Sequence, residues 1–429
     1  MTSAPDLLVV NAREVATMAG PSGRPGLAGP RRRAHLAELG KIMGGAIAAR
    51  GGRILEVGPQ DEVLRKYPAG PATQVVDAGG GVVTPGLVDA HTHLVFAGSR
   101  EGEFLRKLQG VSYLDIQRAG GGISSTVRAT RGASSEDLRE LALGHLRRML
   151  REGTTTVEVK SGYALTLEGE LQALEVVADL AGRQPVRLVP TLMGAHLVPP
   201  EYARDRRGYV EMLNHELTPA VAARGLARFC DVFCEEDAFT LEESRSILET
   251  AKECGLAPKV HADELSPSGG AELAVEVGAV SADHLLCVDQ GGIAALAASY
   301  TVAVLLPGTS FSLMSDKHAP ARRLVEAGAA VALASDFNPG SSPVDSMVTV
   351  MALACRLLRL TPAEALVAAT VNAAYAVGMG GEVGSLESGK AADMVLFDAP
   401  SAEYIPYHMG ANLVEKVIVG GRLVSSRPS

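Results

Sequence analysis

The sequence predicts an α/β fold: a TIM-like (β/α)8 barrel over residues 85–379, with a small β-sandwich domain built jointly by residues 1–84 and 380–429. Three observations carry this. Short apolar runs alternate with stretches of helical period through the middle of the chain. Both ends read as β and share a Gly-Gly turn, so they are expected to pair, with the barrel inserted between them. Histidines collect where the apolar runs stop, and the C-terminal ends of barrel strands are where such folds place reactive groups.

At 429 residues the chain is long for one compact domain and ample for a large domain plus a smaller one. With 47% hydrophobic and 21% charged residues and a net charge of −9, the composition is that of a soluble globular protein and offers no basic surface for nucleic acid. The one tight basic cluster, Arg31-Arg32-Arg33, reads as a solvated loop. Residues 1–6 lack the basic start and apolar core of a secretory signal. The longest apolar region, 293–306, is broken by Ser299, Tyr300 and Thr301 into a helix and a strand rather than a membrane span. A cytoplasmic protein with no membrane segment is expected. The five cysteines lack framework spacing and read as reduced core residues, Cys230 and Cys234 within one strand-like run.

Taken in order, residues 6–84 read as β, and 46–50 with 53–57 flank Gly51-Gly52, a two-residue hairpin signal. Residues 18–39, rich in Gly, Pro and Arg, are expected to form a mobile surface loop. Residues 84–94 read as a short apolar strand that runs into two histidines. Eight barrel strands are predicted at 87–90, 154–159, 186–191, 229–234, 259–260, 282–283, 302–306 and 331–334, and helical crossovers between them imply a parallel sheet. Ser134 to Asp137 opens a helix whose apolar face carries Leu138, Leu141, Ala142, Leu146, Met149 and Leu150. Thr240 with Glu243 caps another helix that stops near Gly255. Residues 393–397 and the hairpin-like 416–424 return to β texture.

Side chains alternate along a strand, so His91 and His93 leave the first barrel strand in one direction and can reach one ion. Imidazole is the commonest protein ligand for zinc and similar metals. Sorted by strand, the mouth of the barrel would receive His91 and His93, then Lys160 and Tyr163, then His196, His261, His284 and Asp336. Each alone could be a hydrogen-bonded histidine or a capping aspartate. Together they are harder to dismiss, because five of the ten histidines fall at or just beyond strand ends.

Five strings narrow the reading: HTHLVFAGSR at 91–100, VKSGYA at 159–164, PTLMGAHL at 190–197, HADE at 261–264 and SDFNPG at 335–340. On these the chain resembles the amidohydrolase superfamily, and within it the imidazolonepropionase family of histidine degradation, over nearly its whole length. The resemblance implies one divalent or trivalent ion per chain, zinc or iron, held by His91, His93, His261 and Asp336. Three neutral imidazoles and a carboxylate leave a position open for water. It implies hydrolysis of the ring amide of 4-imidazolone-5-propanoate to N-formimino-L-glutamate, with Asp336, His284 and Glu264 as the candidates for proton transfer and carbonyl polarisation. By the same resemblance Arg100 would grip the propanoate, and Tyr163, His196 and Glu264 would contact substrate. Asn338, Gly340 and Ser341 would line the product side, and the assembly would be a homodimer.

Plainer readings stand beside these. Lys160 follows a different strand from the bridging lysine of binuclear relatives, and an ordinary ion pair is expected of it. Arg100 could be an exposed arginine paired with Glu101 or Glu103. Tyr163 could be a packing residue, and 338–340 a turn. The metal set alone also fits a deaminase of a small heterocyclic base, or a non-catalytic scaffold; a cation placed for a carboxylate tail, Arg100, favours the hydrolase.

Overall fold

The computed structural model describes residues 4–19, 29–111, 115 and 120–427. Its centre is a parallel eight-stranded sheet in which each strand pairs with the next in chain order: Leu87–Asp89, Thr154–Lys160, Arg187–Ala195, Phe229–Cys234, Ala257–Ala262, Ser281–His284, Val302–Leu305 and Ala330–Leu333. The ring closes just past the ends of the first and last strands. There Thr92 bridges Phe337, His93 N donates to the Phe337 carbonyl at 2.9 Å, and Asp336 N donates to that of His91 at 3.0 Å. Asp89 ties the same two strands further down, accepting the Ser335 backbone N–H at 2.9 Å and its hydroxyl at 2.5 Å. All eight expected strands form, and helices fill the crossovers, as a right-handed barrel requires.

Strands from both ends of the chain share one sheet, in the order Lys41–Met43, Glu14–Ala16, Val82–Pro85, Met394–Phe397, Val414–Val419, Arg422–Ser426. Val82–Pro85 and Met394–Phe397 run antiparallel with Pro85 opposite Met394. A second sheet of Leu7–Val10, Gly45–Arg50, Arg53–Pro59 and Gln74–Asp77 uses N-terminal residues alone. Leu7, Val9 and Ile47 of this sheet bury against Val83, Met394, Leu396 and Ile418 of the other, which makes a sandwich. Both Gly-Gly turns form, with φ of 57° and 75° at Gly51 and Gly52 and 54° and 73° at Gly420 and Gly421, a region glycine enters without a Cβ clash.

Several expectations need correction. Residues 84–94 are not one strand: Val82–Pro85 lies in the terminal sheet and Leu87–Asp89 in the barrel. Gly86 makes the passage, and a Cβ there would sit 2.0 Å from Thr155 Oγ1. The N-terminal part is not wholly β, since the helix Gln60–Lys66 and a 3-10 turn at Arg33–Ala37 interrupt it. Leu141 is 42% exposed while Leu143 turns inward, because the buried stripe through Leu138, Ala142, Leu146 and Met149 leaves Leu141 at its edge. Of the Arg31-Arg32-Arg33 cluster only Arg33 is exposed, and Arg31 and Arg32 dock onto the barrel. Arg31 is buried and exchanges backbone hydrogen bonds with the Asn372 side chain at 2.6 and 2.9 Å. Arg32 donates to the carbonyls of Ala297 and Gly328, each at 3.2 Å, and to that of Ser299, satisfying carbonyls that helix ends leave open. Of the expected mobile loop, Met18, Leu36 and Leu39 are buried, and residues 20–28 lie outside the described residues. Among the described residues no helix is long and apolar enough to cross a membrane. All five cysteines are free thiols.

Candidate active site

A cavity of about 680 Å³ opens at the C-terminal mouth of the barrel, and the residues singled out in the sequence line it, except His91 and Lys160, which are buried. His93, Arg100, Tyr163, His196, His261, Glu264, His284, Asp336, Asn338, Gly340 and Ser341 line it. His91, fully buried, packs its ring 4.4 Å from that of His261 and 5.3 Å from that of His93.

Four imidazoles and one carboxylate converge. His91 Nε2 and His93 Nε2 lie 3.5 and 3.6 Å from Asp336 Oδ1. Ligand atoms of His91, His93 and Asp336 fall within 4.8 Å of one another, and so do those of His91, His261 and His284. The orientation is set from behind. His91 Nδ1 donates to Asp283 Oδ2 at 2.7 Å and His261 Nδ1 to Asp231 Oδ1 at 3.1 Å, so both rings aim Nε2 inward. Those two Nε2 atoms are buried without a hydrogen-bond partner. Burial, and then the positive groups nearby, hold His91, His93 and His284 well below the usual histidine range, so their lone pairs are available. Orphaned, inward-facing imidazole nitrogens beside a carboxylate, backed by carboxylates on the far nitrogen, are a donor set that fits a metal cation.

Burial pushes Asp336 up to about 6, against the Thr309 hydroxyl that donates to its Oδ2 at 2.7 Å. Burial, and then the charge of Asp336, pushes Glu264 up to about 8; it lies 3.5 Å from His284 Nδ1. Asp336 and His284 have φ of 54° and 77°. Such left-handed backbone in residues with a Cβ costs of order 1–3 kcal/mol and gathers at functional sites. His196 stacks on His93 with centroids 4.9 Å apart and donates from Nδ1 to the Gly162 carbonyl at 3.0 Å; burial lowers it to about 3. The Tyr163 ring lies 5.5 Å from that of His93, and burial keeps its phenol protonated.

Arg100 does pair with Glu103, its Nε donating at 2.9 Å, yet its side chain is 11% exposed and forms part of the cavity wall. Glu103 is itself held by the Gly122 backbone N–H at 2.9 Å. The guanidinium rests on Gly340, where a Cβ would meet Nη1 at 1.8 Å. Asn338 builds that turn by accepting the N–H groups of Gly340 and Ser341, each at 2.8 Å. Asp263 of the HADE string points away from the chemistry and accepts the N–H groups of Gly269 at 2.9 Å and Ala271 at 3.0 Å, where the helix Gly270–Glu276 begins.

Sequence reasoning missed the layer behind the histidines. Lys160 is ion-paired, as expected, but it is fully buried and meets three carboxylates, with Nζ 2.6 Å from Asp231, 3.0 Å from Glu158 and 3.6 Å from Asp283. Lys259 reaches Glu158 at 2.9 Å and the Ala90 carbonyl at 3.1 Å. The grouping of His91, Glu158 and Asp283, whose atoms also lie close enough for an ion, thus faces two ammonium groups. The available signal was spacing: Lys259 precedes His261 by one strand repeat, Glu158 precedes Lys160 likewise, and Asp231 interrupts the apolar run FCDVFC.

The fold and site define a class. The profile of the amidohydrolase family matches residues 82–424, and the chain belongs to that family. A second profile, the imidazolonepropionase-like composite domain of bacteria, matches residues 45–69. Curated relatives place the chain within the family among the imidazolonepropionases. That of Symbiobacterium thermophilum is 55% identical over 98% of this chain and 97% of its own, and that of Geobacillus kaustophilus 50% identical over 97% of each. That of Alkaliphilus metalliredigens is 47% identical over 98% of each. Among solved structures, E. coli guanine deaminase superposes with a TM-score of 0.74 at 17% identity, covering 98% of this chain and 99% of that one. A zinc-bound adenosine deaminase from Xanthomonas campestris gives 0.72 at 21%, covering 98% and 93%. These two likenesses speak for the shared fold.

Proposed function

We propose that the chain hydrolyses the ring amide of 4-imidazolone-5-propanoate, giving N-formimino-L-glutamate, with one zinc or iron ion held by His91, His93, His261 and Asp336. The observation that carries it is one cavity containing both an unsatisfied imidazole–carboxylate cluster and a wall-mounted arginine braced by Glu103. The metal, when bound, would supply Lewis acidity and lower the pKa of a water toward neutrality. The chain's own groups do the rest. Arg100 can take the propanoate carboxylate with two parallel hydrogen bonds and so fix the ring over the histidines. Asp336, ionised above about 6, accepts the proton of the attacking water. Glu264, which keeps its proton to about 8, and neutral His284 beside it can polarise the ring carbonyl or pass a proton to the leaving nitrogen. Tyr163 and His196 would contact the ring, and Asn338, Gly340 and Ser341 the product.

The proposal includes a homodimer in the cytoplasm, and a division into a barrel of 85–379 that carries the site and a β domain of 1–84 with 380–429 that supports it. The test is turnover of enzymatically generated imidazolone propanoate, followed by loss of ring absorbance and by the mass of the product. The expected product is the substrate plus one water, with guanine and cytosine untouched. Ammonia released from either base, with imidazolone propanoate unchanged, would move the assignment to a deaminase.

A further inference from the structure

We propose that Lys160 is a positioning residue for the metal centre: one buried ammonium locks together the two carboxylates that aim His91 and His261. The inference rests on the ligand reading above. Asp231, from the fourth barrel strand, gives Oδ2 to Lys160 at 2.6 Å and Oδ1 to His261, accepting its Nδ1 at 3.1 Å and its backbone N–H at 3.2 Å. Asp283, at the end of the sixth strand, accepts His91 Nδ1 at 2.7 Å on the same oxygen that faces Lys160 at 3.6 Å. Lys160 comes from the second strand, so a single charge links carboxylates that steer ligands of the first and fifth. All of these side chains are cut off from solvent, with exposures of 0% for Lys160, Asp231, Asp283 and His91 and 4% for His261.

Two ionised carboxylates this close inside a barrel repel unless a cation stands between them. Lys160 occupies that position. Glu158 holds it there, taking Nζ at 3.0 Å on an oxygen that also accepts the Thr191 hydroxyl at 2.5 Å. Lys259 cannot take over this link: it too faces Asp283, at 3.9 Å, but its other partners are Glu158 and the Ala90 carbonyl, and among the described residues it makes no ion pair with Asp231. Without Lys160 the carboxylates must draw apart. The imidazoles then lose the acceptors that fix Nδ1–H and point Nε2 at the ion.

The test measures metal affinity rather than turnover. Metal-free parent, Lys160→Met, Asp231→Asn, the double variant and His261→Ala are titrated with zinc(II) against a chromophoric chelator. Lys160→Met should bind zinc about 10- to 100-fold more weakly, the scale for groups that orient a ligand. Cobalt(II) in the site gives visible bands set by ligand geometry, and Lys160→Met should shift them. Affinity within about threefold of the parent with unchanged cobalt bands would overturn the proposal, that margin being near the usual error of additivity. Should Lys160→Met not fold, the double variant, which removes one charge of each sign, decides. It must bind zinc more weakly than Asp231→Asn alone, because Asp283 has then lost the nearer of its two cations and keeps only Lys259, and equal affinity would overturn the proposal. Parent-like affinity in His261→Ala would show instead that the ligand assignment itself is wrong.

Discussion

A methyl group at Gly340 would meet the Arg100 guanidinium at 1.8 Å. The guanidinium ends a flexible side chain held, among the described residues, only by its pairing with Glu103, so Gly340→Ala should leave the fold intact and push Arg100 aside. Since a misplacement of about 1 Å can cost about 10²-fold, we expect kcat/KM for imidazolone propanoate to fall roughly 10- to 100-fold with the Tm nearly unchanged. Removing the grip altogether, in Arg100→Ala, should cost roughly 30-fold to several thousand-fold with metal content unchanged. Turnover by Arg100→Ala within about threefold of the parent would mean that another group holds the carboxylate. The pH profile belongs to the same scale. Asp336 must have lost its proton to act as base, whereas Glu264 must have kept its own to act as acid. From values of about 6 and about 8, kcat/KM should therefore rise through the first and fall through the second, and a cation held by Asp336 would move the rising limb to lower pH. Glu264→Gln should abolish the falling limb; a limb that persists assigns the acid elsewhere. Asp336→Asn should lower kcat by roughly 10²-fold or more. Of the proposed ligands, His91 and His93 could be singled out from the sequence because they are spaced by the two-residue period of a strand. Asp231, Asp283, Glu158 and Lys259 could not, because a charge inside an apolar run reveals burial only when its partners on other strands are known.

At the scale of elements, the clearest signals were local. The capping box of Thr240 and Glu243 forms, with Thr240 accepting from the Glu243 N–H at 3.2 Å and Glu243 from that of Thr240 at 2.9 Å, and the helix Leu241–Glu253 follows it. Thr240→Ala should cost about 1 kcal/mol of stability in denaturant unfolding, within a range of about 0.5–2, and should leave metal binding alone. No measurable loss would mean the box contributes nothing in this context. The Gly-Gly hairpins and the eight barrel strands were legible for the same reason: turn chemistry and apolar runs are written in neighbouring residues. Three features were not. The break at Gly86 depends on its contact with Thr155, far along the chain. The docking of Arg31 and Arg32 depends on Asn372, Ala297 and Gly328, and a run of arginines gives no hint of carbonyls waiting elsewhere. Leu141 sits where a helical stripe ends, and only the packed neighbour decides which side of that edge is buried.

At the scale of the whole molecule, the barrel converts order along the chain into convergence in space. Residues from His93 to Asp336 reach one cavity, with His91 buried against them, because each follows a parallel strand that ends at the same face. Beneath that cavity a buried ionic layer sets the rings, and at its edge Arg100 and the turn at Asn338 set the specificity we propose. We propose that this cluster holds one ion and that hydrolysis needs it. The most direct test is to strip the protein with a chelator, add zinc or iron(II) in measured steps, and follow recovered turnover of imidazolone propanoate against metal added per chain. No turnover is expected without metal, followed by a linear recovery that breaks at about one equivalent, as a single site of four protein ligands requires. A break at two equivalents, or full turnover by the stripped protein, would contradict the proposal.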